Sequence, residues 1–203
     1  MTLFDSPAFE GHEGVHSFFD ERTGLKTIIA VHSTARGPAA GGCRMWPYVD
    51  AAAALDDALK LSRAMSYKNA MADLGLGGGK SVIIGDARRD KTPELMRAFG
   101  RAVQALGGQY YTAEDVGIST EDMAYAAEET AYAVGLAGGD HGSGDPSPWT
   151  AEGVFRCLRV GARHAFGTDD LTGRRVLVQG LGHVGLSLAA AGAGPCCRSS
   201  WRS

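Results

Sequence analysis

Two lysines in the stretch MSYKNAMADLGLGGGKSVIIGD (65–86) have the setting that acid–base chemistry requires. Lys68 lies near the end of a long helical pattern, whereas Lys80 follows the glycines 77–79 and precedes the apolar run Val82–Ile84. A lysine that enters a buried strand from a glycine turn is expected to be partly desolvated, and a desolvated lysine can act as a general base. Three consecutive glycines make a poor helix and a poor strand, so they indicate that backbone approaches a ligand or another segment very closely.

The sequence Gly79-Lys80-Ser81 resembles the end of a phosphate-binding loop, but the rest of that motif is absent. The motif needs a glycine at the position of Leu74 and a helix after the lysine, where this chain has a β-branched strand pattern. A tight turn with an exposed lysine is the simpler alternative, and these residues alone leave it open.

Two further clusters are candidates for the same site. The segment Gly37–Met45 lies between a predicted strand and a predicted helix, and either its Gly41 and Gly42 present backbone amides to a small substrate or the segment is a loop that merely needs positive φ. Asp115 lies in the segment Thr112–Gly117, between a strand end and a helix start, where ligands bind in open α/β sheets. Asp115 is therefore a candidate catalytic group, and the alternative is a capping role at the following helix.

Alternating strands and helices would position these residues, which predicts an α/β fold. Thr92 is the predicted N-cap of the second helix. The predicted strands are 16–19, 25–32, 81–84, 110–112 and 175–179; the predicted helices are 50–68, 92–106, 119–131, 150–166 and one that begins at Val184; residues 138–148 are predicted to be a loop.

The composition excludes several classes of protein. The 203 residues carry a formal net charge of −3, so no basic excess indicates binding to nucleic acid or to an anionic membrane. The chain contains no apolar run long enough to span a bilayer and no signal segment in residues 1–30. Cys43, Cys157, Cys196 and Cys197 lack the spacing of metal ligands, which predicts a reducing cytoplasmic location and no metal site.

Four motifs in collinear order carry a resemblance to one enzyme family: GPAAGGCRMWPY (37–48), MSYKNAMADLGLGGGKSVIIGD (65–86), YYTAEDVGIS (110–119) and GDPSPWTAEGV (144–154). From about Gly11 to about Ala191, the chain resembles the Leu/Phe/Val dehydrogenases of the amino-acid dehydrogenase superfamily. The resemblance implies reversible NAD-dependent oxidative deamination of an L-amino acid of the leucine, valine or phenylalanine type to a 2-oxo acid and ammonia, in a homo-oligomer.

The same resemblance implies two domains. Residues 1–149 would form the substrate domain, with a mixed sheet and flanking helices. Residues 150–203 would form a connecting helix and the first βα unit of an incomplete NAD-binding Rossmann domain.

The resemblance also implies a role for each matched residue. Lys80 would be the general base for the water that attacks the imine, and Asp115 would carry protons to and from the amino nitrogen. Lys68 would hold the substrate carboxylate, helped by the backbone of Gly41 and Gly42.

Other matched residues would shape the substrate and cofactor sites. Ala40 and Met65 would line the side-chain pocket. Leucine-type members often carry a larger residue in place of Ala40, so a roomier pocket and an aromatic substrate stay open. Thr150 and the loop 146–148 would contact the nicotinamide end of NAD.

A G-x-G-x-x-G motif follows the predicted strand at Val176 and precedes a helix pattern, as in dinucleotide-binding folds. The residues that would hold NAD are Gly180, Gly182, His183, Val184 and Gly185.

The sequence after this motif departs from the family. The helix pattern breaks at 192–195, the tail 196–203 shows no strand pattern, and Ser203 stands near the place where a ribose-binding acid belongs. We therefore expect a truncated or frameshifted copy, in which the strand at Val176 lacks a parallel partner and dehydrogenase activity is lost. A genuine short family member is the alternative.

Two rival functions remain at this stage. A non-enzymatic amino-acid-binding or oligomerising remnant would bind amino acids without turning over NADH. A hydrolase or lyase that uses Lys80 alone would form a substrate–lysine imine that borohydride traps.

Overall fold

The computed structural model describes residues 3–138, 144–192 and 198–200, and the chain divides into two compact units, Met1–Gly144 and Asp145–Ser203. A short 3-10 turn at Leu3–Asp5 precedes the elements of the first unit. In chain order these are β1 (Gly14–Asp20), β2 (Leu25–Ser33), β3 (Ala39–Trp46), α1 (Ala51–Met71), β4 (Gly77–Ile84), α2 (Pro93–Gln104), β5 (Tyr110–Glu114) and α3 (Thr120–Ala127).

The five strands of the first unit form one mixed sheet in the order β1-β2-β4-β3-β5. The strands β1, β2 and β4 pair antiparallel, whereas β3 pairs parallel with both β4 and β5. The predicted α/β fold with a mixed sheet and flanking helices is confirmed. Because β3 lies between β4 and β5, it brings the segments that carry Lys80 and Asp115 together.

Helices cover both faces of this sheet. On one face α2 and α3 contribute Phe99 and Met123 to a core that contains Ile83. On the other face α1 contributes Leu59 to a smaller core that contains Val82. Burial on both faces explains the uninterrupted apolar run of β4, since full burial of each such side chain contributes about 1.5–3 kcal/mol.

The alternative of a loop at 37–45 was wrong, because residues Ala39–Trp46 form β3, which lies between β4 and β5 in the sheet. Their burial alternates with the period of a strand: Ala39, Gly41, Cys43 and Met45 are buried. Alternation of this kind indicates a strand, but two of its positions are glycines and so carry no hydrophobic signal.

The glycines 77–79 belong to β4, which corrects the expectation that they form a poor strand. A Cβ on Gly78 would lie 2.3 Å from the backbone nitrogen of Ser66, and one on Gly79 would lie 2.6 Å from the ring of Tyr110. Real Cβ atoms do not approach that closely. These glycines therefore serve the close approach of another chain segment, one of the two alternatives that the sequence left open.

Thr92 caps α2 as expected and accepts a hydrogen bond from Leu95 N at 3.1 Å, whereas α1 continues to Met71, past its predicted end at Lys68. The helix α3 ends at Ala127 instead of Ala131. The segment after α3 pairs with β5 instead of continuing the helix, since Ala133 forms a parallel bridge with Thr112.

The second unit contains α4 (Ser147–Phe166), β6 (Arg175–Leu177), α5 (His183–Gly192) and β7 (Arg198–Ser200). The helix α4 begins three residues before the predicted Thr150, because Pro148 suits the first turn of a helix, where no backbone N–H donor is needed.

The strand β6 has a parallel partner, which corrects the expectation for Val176. It pairs with β7, with Arg175 opposite Arg198 and Leu177 opposite Ser200. The tail has no alternating apolar pattern, so its pairing was not visible from the sequence. Ser203 and the cysteines 196 and 197 lie outside the described residues, as does the part of the predicted loop at 139–143.

No helix in the described part of the chain is long and apolar enough to cross a membrane. Among the same residues no group of histidine, cysteine and acidic side chains could hold a metal ion.

A buried histidine attaches the N-terminal segment to α1. The imidazole of His12 lies 3.0 Å from the carbonyl of Leu59 through Nε2, and its Nδ1 accepts a hydrogen bond from Glu10 N at 3.3 Å. Both contacts suit the neutral ring. Burial lowers the pKa of His12, the hydrogen bond to Leu59 opposes this in part, and the nearby charge of His32 adds to the lowering.

We expect the unfolding free energy to fall as the pH drops below about 6.5, because the unfolded chain takes up a proton that folded His12 resists. The groups that face His12 are His32, Glu10 and Arg63, and a His12→Gln variant retains all three. Urea unfolding at pH 7.5 and 5.5 should show a smaller loss for His12→Gln than for the original chain. Equal losses would contradict this role.

Candidate active site

Lys80 and Asp115 meet in the first unit. Lys80 is 5% exposed on β4, and its Nζ forms a short ion pair with Asp115 Oδ2. Burial would raise the pKa of Asp115, but the charge of Lys80 and the hydrogen bond from it dominate, and the pKa is lowered. In this structure Asp115 is therefore a carboxylate that faces an ammonium group.

The strand β3 sets the spacing of this pair. Its register places Ala40 opposite Gly78 and Cys43 opposite Ser81, so Gly42 lies level with Lys80. A Cβ on Gly42 would be 2.8 Å from the Cβ of Asp115, which is tighter than real contacts allow. Glycine at position 42 thus leaves the room that Asp115 occupies beside Lys80.

A second group of charged residues adjoins Asp115, and the sequence analysis did not identify it. The Nε of Arg44 lies 3.5 Å from Asp115 Oδ2. Its Nη1 donates to Asp57 Oδ2 at 3.0 Å, and the hydroxyl of Tyr48 donates to the same oxygen at 2.6 Å. The signal in the sequence was the position of Arg44 two residues after Gly42, on the same side of a strand, but that strand was not predicted.

Cys43 is not a candidate nucleophile. It is fully buried on β3, and burial raises the pKa of its thiol to about 12. A thiol with that pKa remains protonated near neutral pH.

The predicted substrate residues lie along α1 and in the first half of β3. A Cβ on Gly41 would lie 3.1 Å from Cγ of Met65, so the Met65 side chain contacts the Gly41 position. Asn69 fastens this end of α1 to the sheet, since its Nδ2 donates to Gly77 O at 2.6 Å. Lys68 is exposed, one helical turn after Met65, and no described residue forms an ion pair with it.

The structure places the two candidate glycines in the sheet, and their role toward a substrate stays a prediction. Gly41 is buried in the sheet, and its carbonyl accepts a hydrogen bond from the hydroxyl of Tyr110 at 2.6 Å. Gly42 is half-buried beside it, and Ala40, also half-buried, precedes them. Neither glycine has positive φ, so the alternative of a positive-φ loop was wrong.

The glycine motif of the second unit has the local form of a diphosphate-binding loop. Gly180 has φ of +89°, and a Cβ on Gly185 would lie 2.0 Å from Gly180 O, so the helix α5 starts tightly against the loop. A Cβ on Gly182 would meet nothing within 4 Å, so that glycine leaves open space beside the backbone. Exposed loop amides at a helix N-terminus suit an anion, and these residues therefore fit the diphosphate of a dinucleotide.

The other predicted cofactor residues also lie in the second unit. His183 is exposed and Val184 is half-buried, both in the first turn of α5. The hydroxyl of Thr150 donates to Pro146 O at 3.0 Å, and the residue is exposed in the first turn of α4. Their roles remain predictions.

Comparison with known proteins identifies the relatives of this chain. Residues 13–132 match the family model described as Glu/Leu/Phe/Val dehydrogenase, dimerisation domain. A leucine dehydrogenase of Bacillus subtilis is 55% identical over 188 residues, which are 93% of this chain and 52% of that protein. A phenylalanine dehydrogenase of Caldalkalibacillus thermarum is 53% identical over 178 residues, which are 88% of this chain and 48% of that protein.

Solved structures agree with these matches. The crystal structure of L-tryptophan dehydrogenase from Nostoc punctiforme superposes with a TM-score of 0.67 and 39% sequence identity, over 93% of this chain and 53% of that chain. The chain spans about half the length of the curated relatives that it matches.

Proposed function

The chain belongs to the Glu/Leu/Phe/Val dehydrogenase family, and from that premise we propose that it carries the substrate half of an enzyme that deaminates an L-amino acid oxidatively, with NAD as cofactor. The observation that carries this proposal is the buried pair of Lys80 and Asp115. A buried lysine beside a carboxylate supplies one base and one proton carrier at the same place. Such a pair suits a reaction that adds water to an imine and releases an amine.

We assign the first steps to three side chains. Exposed Lys68 binds the substrate carboxylate as a fixed cation. The substrate ammonium group gives a proton to Asp115, and the loss of hydride from Cα of the neutral amine then leaves a protonated imine. NAD, when bound, supplies the acceptor for that hydride.

The last steps belong to the buried pair. Lys80, as the free amine, takes a proton from the water that attacks the imine carbon. Asp115 then protonates the nitrogen of the resulting carbinolamine. The C–N bond breaks, the nitrogen leaves as ammonia, and the hydroxyl proton passes to the Asp115 carboxylate as the 2-oxo acid forms. Lys80 can act as the base only after it has given up its own proton. A substrate ammonium that competes with it for Asp115 favours that release.

The experiment that tests this function uses a chimaera. It joins residues 1–149 of this chain to the matching remainder of the Bacillus subtilis leucine dehydrogenase, and the complete relative serves as the positive control. We expect NADH formation with leucine, valine or phenylalanine. A folded chimaera that binds these amino acids without forming NADH would favour the non-enzymatic alternative. Borohydride trapping of a Lys80 imine would favour the hydrolase or lyase.

The residue at position 40 is expected to set the preference for substrate size. Ala40 is half-buried on β3 beside the Gly41 position that Met65 contacts. In the chimaera, Ala40→Leu should shift preference from phenylalanine toward leucine, because the added isobutyl group shortens the pocket. A change of one or two methylenes is worth roughly 1–3 kcal/mol in discrimination. If the ratio of the two kcat/KM values does not move, Ala40 does not line the pocket.

A polypeptide limited to these 203 residues is proposed to lack measurable NAD binding and dehydrogenase activity. The strands described in its second unit, β6 and β7, have three residues each. So small a sheet gives little support to the loop at Gly180. Calorimetric titration with NADH is the test, with the complete Bacillus subtilis relative as control. A micromolar dissociation constant for the 203-residue chain would contradict this proposal.

Self-association is the remaining part of the proposal. The matched family model is a dimerisation domain, which supports a homo-oligomer of this chain. The cytoplasmic location stays a prediction from the cysteine pattern.

A further inference from the structure

We propose that Arg44 is a positioning residue of this site, a second cationic partner that holds the Asp115 carboxylate when it separates from Lys80. This inference rests on the proposed function, in which Lys80 must lose its proton before it acts as a base. At that step Asp115 loses the partner that holds it in the resting structure.

The geometry of Arg44 suits this role. Its Nη1 donates a hydrogen bond to Asp57 Oδ2 at 3.0 Å, and this bond restricts the position of the guanidinium group. Its Nε is buried and has no hydrogen-bond partner among the residues that the structure describes. That Nε lies 3.5 Å from Asp115 Oδ2, within ion-pair range but too far for a good hydrogen bond. A small displacement of the carboxylate away from Lys80 would satisfy this buried donor.

The charges around Asp115 also favour two alternative partners for its carboxylate. The same oxygen, Oδ2, faces both Lys80 and Arg44, so the two cations share one acceptor. An arginine stays charged under conditions in which a lysine can release a proton. Once Lys80 is neutral, Arg44 is therefore the cation that keeps Asp115 ionised and in place until the carboxylate takes the proton of the substrate ammonium.

Asp57 and Tyr48 brace the arginine. The hydroxyl of Tyr48 donates to the Asp57 oxygen that also receives Arg44 Nη1. Burial raises the pKa of Tyr48, and its contact with Asp57 raises it further, so the hydroxyl remains a donor. The side chains of Arg44 and Asp57 are about one-quarter exposed, at 25% and 27%, whereas that of Lys80 is 6% exposed. Arg44 and Asp57 therefore lie at the partly exposed edge of the site, whereas Lys80 lies in the buried interior of the site.

The sheet register explains why residue 44 can reach Asp115. Cys43 is paired with Glu114 at the last step of the β3–β5 ladder, and the next residues along the two segments are Arg44 and Asp115. Gly42, two residues before Arg44 on the same face of β3, has no Cβ, and one there would lie 2.8 Å from the Cβ of Asp115.

The test measures the ionisation of Asp115 in the 203-residue chain by carbon NMR of labelled aspartate, so it needs no enzymatic turnover. We expect the pKa of Asp115 to rise in Lys80→Met and to rise further, by about 1 or more, in Lys80→Met/Arg44→Gln. Arg44→Lys in the same background should restore part of the effect, because it keeps a cation. Arg36→Gln, which breaks an exposed ion pair with Asp73, is the matched control and should leave Asp115 unchanged.

The backbone amide spectrum of each variant monitors the fold. A variant whose spectrum matches that of the original chain away from the site has retained the fold, and Arg44→Lys provides a milder change if Arg44→Gln does not fold. If Arg44→Gln adds nothing to the rise in the Asp115 pKa that Lys80→Met causes, the role of Arg44 as a second cationic partner is wrong. An inactive chimaera would instead contradict the proposed function, whatever the NMR titration shows.

Discussion

Replacement of Lys80 by alanine is expected to lower kcat of the chimaera by orders of magnitude, whereas Lys68→Ala should chiefly raise KM. Lys80 is buried and paired with Asp115. Its removal therefore deletes the proposed base and leaves the Asp115 carboxylate without its lysine partner. A general base contributes about 100-fold to 10,000-fold in rate. Lys68 is exposed, and as a carboxylate anchor it would bind ground state and transition state alike.

Two controls separate chemistry from stability. Lys80→Met keeps most of the buried volume and should be as inactive as Lys80→Ala. Lys60→Ala changes an exposed lysine of the same helix as Lys68, paired with Asp56, and should leave both constants unchanged. Steady-state kinetics with the preferred amino acid measures all four variants. Equal and small effects of Lys80→Ala and Lys68→Ala would contradict the assignment of roles.

The sequence was informative where hydrophobic side chains carry the pattern. The apolar run at 82–84 and the cap at Thr92 both correspond to observed elements. It was uninformative where glycines replace side chains, because a glycine in a strand gives no period. The strand β3 was missed for that reason, since Gly41 and Gly42 lie in its middle.

The candidate site shows the same division. The residue types of Lys80 and Asp115 pointed to proton transfer, and the structure brings the two side chains into contact. Arg44 was missed because its relevance depends on the ladder between β3 and β5, which pairs residues about 70 positions apart. The pairing register of strands that are distant in sequence depends on tertiary structure, and local propensities do not predict it. Arg44 therefore became a candidate only once the sheet was known.

The glycines of β4 also limit how the helix that carries Lys68 can lie. A Cβ on Gly78 would be 2.1 Å from Ser66 Oγ, 2.3 Å from Ser66 N and 2.5 Å from Ser62 O. The hydroxyl could rotate away, but the backbone atoms of α1 could not. A side chain at position 78 would push α1 off the sheet and displace Met65 and Lys68 with it.

Gly78→Ala is therefore expected to lower the unfolding free energy by about 3 kcal/mol or more, at the upper end of overpacking effects. The matched control is Gly75→Ala, three residues earlier, where a Cβ would meet only Arg36 O at 4.0 Å and φ is not positive. That control should stay within about 0.5 kcal/mol of the original chain, as for most substitutions away from packed contacts. Urea unfolding followed by circular dichroism compares the three proteins. Equal midpoints for Gly78→Ala and Gly75→Ala would show that α1 does not pack on β4 as closely as described, and the proposed arrangement of Met65 and Lys68 would fail with it.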